Sequence, residues 1–206
     1  MDVIENLDVG VYSHFEYQSK KYPFFIDLVQ PAYHVSGYVG VCVLLLIAVV
    51  LFFKRKKVLS AIVSAIIFGA SVGLIEAIRR LVPRARPSDA INIVGSEDMT
   101  GSYPSRSVFL FMLGVILIGV ALWPLMDRNW LRSAYVVSAA LLTVWVCMSQ
   151  FLLTTNFLTD IIGGMAGAGA MGWLASRLVE EEPPPAESPV VPNSSTAEGA
   201  GPLPAA

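Results

Sequence analysis

Charge is scarce in this chain of 206 residues: only 15% are Asp, Glu, Lys or Arg, against 55% hydrophobic, and the mean hydropathy is +0.63. That shortage excludes an ordinary soluble domain, in which about a quarter of residues are charged, and fits a polytopic membrane protein. A basic surplus is missing too. Fourteen Lys and Arg against sixteen Asp and Glu leave a formal charge of −2, which argues against nucleic acid as a partner. The two cysteines, Cys42 and Cys147, sit alone in apolar runs, so they suggest neither a disulfide framework nor a metal site and read as small buried hydrophobes. No metal or other cofactor is expected. The acidic, polar start of the chain lacks the basic flank and apolar core of a cleavable signal peptide, and none is expected.

What is present is long apolar runs. Five stretches reach the roughly 20 residues that a helix needs to cross the hydrocarbon: 35–53, 58–78, 107–126, 133–153 and 158–178. The expected fold is all-α, a polytopic membrane helix bundle of about five transmembrane helices over residues 35–178. Residues 1–34 differ, because "VYSHFEYQSKKYPFFIDLVQPAYH" mixes aromatics with charges and holds Pro23 and Pro31; they read as an interfacial segment on the membrane surface. Residues 179–206 lack aromatics and are rich in Pro, Glu, Ser and Ala. Such a tail buries too little apolar area to offset chain entropy and is expected to be disordered.

Lys and Arg in short connections favour the cytoplasm. "KRKK" at 54–57, together with Arg128 and Arg132, marks one side as cytoplasmic. The opposite side nevertheless carries Arg79, Arg80, Arg84, Arg86 and Arg106. Arg79 and Arg80 are explained either by snorkelling at a helix end or by an anionic ligand. Arg79 and Arg86 are seven residues apart, which in a continuing helix puts both on one face about two turns apart, although Pro83 and Pro87 are expected to bend or end it. A guanidinium offers a planar fork of donors suited to phosphate oxygens. The Arg-Pro element follows the second span, "YPSRS" precedes the third, and "SQFLLTTNFLTD" lies between the fourth and fifth. All three therefore emerge on one membrane face, where they can meet a lipid headgroup.

This order and spacing resemble the type 2 phosphatidic acid phosphatase family, membrane relatives of the vanadium haloperoxidases that dephosphorylate lipid phosphates and polyprenyl diphosphates. The similarity runs to about residue 178 and is closest to the short bacterial members. The family's first motif, Lys or Arg, six residues, then Arg-Pro, is matched by Arg79, Arg86 and Pro87. Its second, Pro-Ser-Gly-His, corresponds to Pro104, Ser105, Arg106 and Ser107. Its third, Ser-Arg, five residues, His, three residues, Asp, corresponds to Ser149, Gln150, Asn156 and Asp160.

The resemblance implies Arg79, Arg86 and Ser105 as phosphate ligands and Asp160 as the residue that once oriented a nucleophilic His. It carries over neither histidine. Asn156 stands at the nucleophile position, and an amide is no useful nucleophile. Ser107 stands at the acid position, where a hydroxyl is too weakly acidic to replace imidazolium. Gln150 removes a cation from the cradle, and Arg106 adds one where the family has Gly; both are expected among the phosphate-binding residues. His14 and His34 are the only histidines available to fold over the site.

The expected function is a catalytically impaired pseudophosphatase that binds a lipid phosphate or prenyl (di)phosphate headgroup. The alternatives are an active phosphatase with a non-standard nucleophile, such as Asp160, and a structural bundle with a relic pocket. The expected partners are membrane lipid and a phosphorylated lipid ligand, with a homo-oligomer left open. The resemblance further implies a bacterial inner membrane, with the motif face extracytoplasmic and the tail cytoplasmic. Taken alone, Asn156 and Asp160 also suit the cap of the last span. Gly163 and Gly167, four apart, suit close helix packing.

Overall fold

The structure, a computed structural model, describes residues 2–82, 84, 85, 87 and 101–180, the side chains of residues 2 and 180 excepted. Seven α-helices account for most of them. α1 (Asp2–Lys21) and α2 (Phe24–Val35) are followed by α3 (Tyr38–Lys54), α4 (Val58–Leu81), α5 (Arg106–Leu122), α6 (Asn129–Leu152) and α7 (Leu158–Glu180), with a 3-10 turn at Trp123–Leu125 after α5. The proposed tail, residues 179–206, lies outside the described residues from 181 onward.

α5 forms the centre. Val108, Phe109, Leu110, Phe111, Leu113, Val115 and Leu117 are all buried, and a helix that is apolar all round is stable only when enclosed. Its neighbours enclose it incompletely: Leu46 and Phe53 on α3, Ile62 and Ile66 on α4, and Leu141 and Val144 on α6 keep large apolar side chains exposed. Such a surface suits lipid rather than water.

α4, α5 with its 3-10 turn, and α6 are each long and apolar enough to cross a bilayer, and the pair α2 and α3 passes the same test together as one span bent by 53°. The bend has local causes. α2 stops at its C-cap, Ser36, and Gly37 is extended at φ −72° and ψ 176° before α3 begins, while the Trp145 indole donates to the Leu28 carbonyl at 3.1 Å and ties α2 to α6. At the break, a Cβ on Gly40 would lie 1.9 Å from the Val35 carbonyl oxygen. The segment expected to be interfacial thus forms two helices, and the second of them, α2, is one half of the bent candidate span.

α7 is as long as its neighbours but built largely from Gly and Ala, so it does not reach their hydropathy. Gly164, Gly167 and Gly172 lie against the start and flank of α5, to which α7 runs parallel, and Gly163 lies against Tyr103 just before α5. A Cβ on Gly164 would come within 2.7 Å of the Ser105 carbonyl oxygen, and one on Gly167 within 2.6 Å of the Phe109 ring. This is the close approach that small residues permit, and it draws in Gly164 as well as the expected Gly163 and Gly167.

Candidate functional site

α4 ends at Leu81, so Arg79 and Arg86 do not share a continuing helix face, and Arg86 lies outside the described residues. Arg79 faces inward at 1% exposure. Its Nε donates to the Gly101 carbonyl at 2.7 Å, with Glu76 3.8 Å from Nη1. Snorkelling does not describe that arginine. Arg80 is exposed and 3.5 Å from Glu76, and it suits the anchoring role.

Beyond the helix, Arg84 turns into the bundle and becomes the hub of a buried network. Its Nη1 donates to Asp160 Oδ1 at 2.9 Å and to Thr159 Oγ1 at 2.5 Å, and its Nη2 to Asp8 Oδ2 at 2.6 Å. The guanidinium also lies over the Phe157 ring, 4.5 Å from its centroid. Asp8, on α1, accepts twice more, from the Thr159 backbone N–H at 3.0 Å and the Thr159 hydroxyl at 2.6 Å. Burial opposes the charge on Asp8, but the bonds from Arg84 and Thr159 outweigh it and hold the carboxyl below its ordinary 3.8. Burial likewise opposes the charge on Arg84, and the facing carboxylates raise its pKa regardless.

Asp160 is fully buried and does two things. Its Oδ2 accepts the Phe157 N–H at 2.9 Å, which is the back-bonded half of a capping box at the start of α7. Its own carbonyl accepts the Ser105 N–H at 2.9 Å. That bond joins the second motif to the third across the α5–α7 contact. The Ser105 hydroxyl is buried with no hydrogen-bond partner among the described residues, a costly state for a polar group.

Asn156 takes no part in capping through Asp160. Its Nδ2 donates to Gln150 Oε1 at 2.7 Å, and the same oxygen accepts from Thr155 Oγ1 at 2.9 Å. The loop that makes this possible is a Schellman motif: Thr155 N–H bonds the Gln150 carbonyl at 3.0 Å, Thr154 N–H bonds the Phe151 carbonyl at 3.0 Å, and Thr154 sits at φ 53°. Gln150 therefore organises the loop instead of supplying a cation.

Arg106 and Ser107 open on a different feature. With His34, Ser36 and Tyr38 they line a pocket of about 870 Å³ at the α2–α3 break. Arg106 stacks on the Tyr38 ring at 4.2 Å. His34 is exposed at the end of α2, and His14 packs edge-on to Phe15. Of the two histidines, His34 shares a pocket with the acid position.

Two residues outrank their sequence signal, Asp8 and Arg84. A helical period does hold the clue to Asp8, because Asp8, Tyr12, Phe15 and Ser19 fall on one face of α1, where Asp8 and Ser19 are buried and Phe15 stacks on Phe151 at 4.9 Å. Chemically, a guanidinium fork, a hydroxyl and an N–H in the first turn of a helix converge on one carboxylate, the donor set an oxyanion takes.

Comparison with solved structures places the fold. A PAP2-type transmembrane phosphatidylglycerolphosphate phosphatase from Bacillus subtilis superposes with a TM-score of 0.72 over 87% of this chain and 88% of that one, at 17% sequence identity. The chain has the fold of that membrane phosphatase. No protein-family model matches the chain, and no curated relative matches it by sequence.

Proposed function

We propose that this membrane protein uses the phosphatase fold to bind the phosphate of a lipid without ordinary turnover. The observation that carries the reading is the Asp8 carboxylate, held by Arg84 and by the Thr159 hydroxyl and N–H. Those donors retain an anion where the motif loops meet, and a lipid phosphate would take them by displacing Asp8. Arg79, Arg86 and Ser105 are the further phosphate ligands of the proposal, while Arg106, also expected as one, opens on the pocket at the α2–α3 break. The chemistry of the replaced positions supports binding over hydrolysis. Asn156 has no nucleophilic lone pair and its amide is committed to Gln150, Ser107 is a poor acid, and loss of a nucleophile alone commonly costs about 10⁴ to 10⁶ in turnover. The solved relative's substrate makes a glycerophospholipid phosphate the first ligand class to test, with prenyl phosphates second.

The test is phosphate release and equilibrium binding in nanodiscs, with phosphatidylglycerolphosphate, phosphatidate and a polyprenyl diphosphate. Binding that Arg84→Gln weakens, with no release above that control, is expected. Turnover above the control overturns the reading, and absence of binding to every lipid leaves the fold as scaffold. One observation favours a second reading, surviving hydrolysis: His34 lines the pocket that Ser107 opens on. In that case release is lost on His34→Gln.

A further inference from the structure

At the end of the bundle opposite the motif loops, a second pocket of about 370 Å³ lies between the turn after α3, the end of α5 and the last turns of α7. Arg55, Lys57, Trp123 and Ser176 are among its walls, with Val120 and Val179 supplying apolar surface. The turn that builds it is another Schellman motif: Lys57 N–H bonds the Phe52 carbonyl at 3.0 Å, Lys56 N–H bonds the Phe53 carbonyl at 2.9 Å, and Lys56 sits at φ 59°. This fold-back carries Arg55 across to α5, where its Nη1 donates to the Ala121 carbonyl at 3.0 Å. One of the five guanidinium N–H donors is thereby used to fix the fork in place.

Depth and polarity decide what such a pocket takes. It lies where the apolar spans end, and Trp123, nearly half exposed, sits at the level where indoles gather at a membrane surface. Its mouth is cationic, while half-buried Val120 and exposed Trp123 and Pro124 form an apolar wall at the end of α5. A soluble anion would use the mouth and leave that wall bare. A phospholipid uses both, and basic pockets between transmembrane helices suit anionic headgroups.

We propose that this pocket binds an anionic phospholipid, its phosphodiester on Arg55 and Lys57 and an acyl chain along Val120 and Trp123 at the end of α5. The site is separate from the motif loops and independent of any activity there. Its test is lipid retention by the full chain, extracted from nanodiscs of phosphatidylcholine mixed with phosphatidylglycerol and weighed by native mass spectrometry. Preferential retention of phosphatidylglycerol is expected, with a loss of about tenfold or more in that preference when Arg55→Gln and Lys57→Gln are combined. Because Arg55 also holds α5, Ser176→Leu provides a second probe: it fills the pocket, leaves both cations and lowers retention as well.

Lys54→Gln with Lys56→Gln, on the same turn but outside the pocket, leaves the preference intact. An equal loss in that control means a diffuse basic surface and overturns the pocket. Equal protection by inorganic phosphate in a phosphatidylcholine nanodisc, sensitive to the same variants, assigns a soluble anion instead. Retention that appears only after Glu180, Glu181 and Glu182 are changed to Gln makes the chain's own acidic segment the occupant. Either result overturns the lipid assignment.

Discussion

Asp8 occupies donors that a phosphate would otherwise take, so it both stabilises the free protein and competes with the proposed ligand. Removing its charge separates the two effects. Asp8→Asn is expected to strengthen binding of phosphatidate in nanodiscs about tenfold, because a self-occupied fraction of sites is released. It should also lower the melting temperature, since Arg84 loses one of two carboxylate partners. The pH dependence has a definite sign. The folded pKa of Asp8 lies below its ordinary 3.8, so the stabilisation is fully present above 3.8 and is lost as pH falls through the lowered value. Melting curves should therefore show a constant gap between the wild type and Asp8→Asn above that pH, closing below it. Asp8 shows in the sequence only as one member of a helical face, and Arg84 does not announce itself at all. The Arg-x6-Arg-Pro spacing draws attention to Arg79 and Arg86, yet α4 stops at Leu81, and beyond a helix end periodicity no longer says which arginine turns inward. Asp160 and Asn156 were legible by position. Their partners were not, because a side chain's choice between a cap and a neighbouring amide is made by loop geometry.

The loops that set that geometry carry measurable strain. Both Schellman motifs put a residue other than Gly in the left-handed region, and Thr154 is β-branched, for which that conformation is costly. Lys56→Gly, at an exposed position, is expected to raise stability by about 0.5 kcal/mol, read from thermal melts, whereas at buried Thr154 the loss of a packed side chain offsets that gain. Helix packing carries the opposite sensitivity. A Cβ on Gly164 meets the backbone oxygen of Ser105 at 2.7 Å, whereas one on Gly169 meets nothing within 4 Å. Gly164→Val should cost about 2 to 3 kcal/mol and part the Ser105–Asp160 bond, lowering ligand binding, while Gly169→Ala is neutral. The glycine pattern in α7 was readable as packing from its spacing. The 53° bend between α2 and α3 was not, because it falls at Gly37, several residues beyond Pro31, and its angle depends on how the neighbouring helices receive the two halves.

Across the whole molecule, the alternating helices bring the starts of α5 and α7 and the ends of α4 and α6 to one end of the bundle. The order of motifs along the chain already required that arrangement, and it is the part of the site most legible in the sequence. Charge predicts which way the bundle faces. "KRKK" and Arg128 are expected at the cytoplasmic end, so in a chain with Cys42→Ser and Cys147→Ala, an impermeant maleimide should label Val3→Cys from outside intact cells and leave Arg128→Cys unlabelled. Labelling in the reverse sense would invert the assignment. The number of spans is harder to read, because α7 has the length of a crossing helix without the apolarity of its neighbours. What α7 does have is a face of small residues, and its place in the bilayer rests on the fit of that face to α5. A lesion on the α5 side of that seam is therefore expected to lower the amount of folded protein as well as ligand binding, which expression level and binding measured together would show.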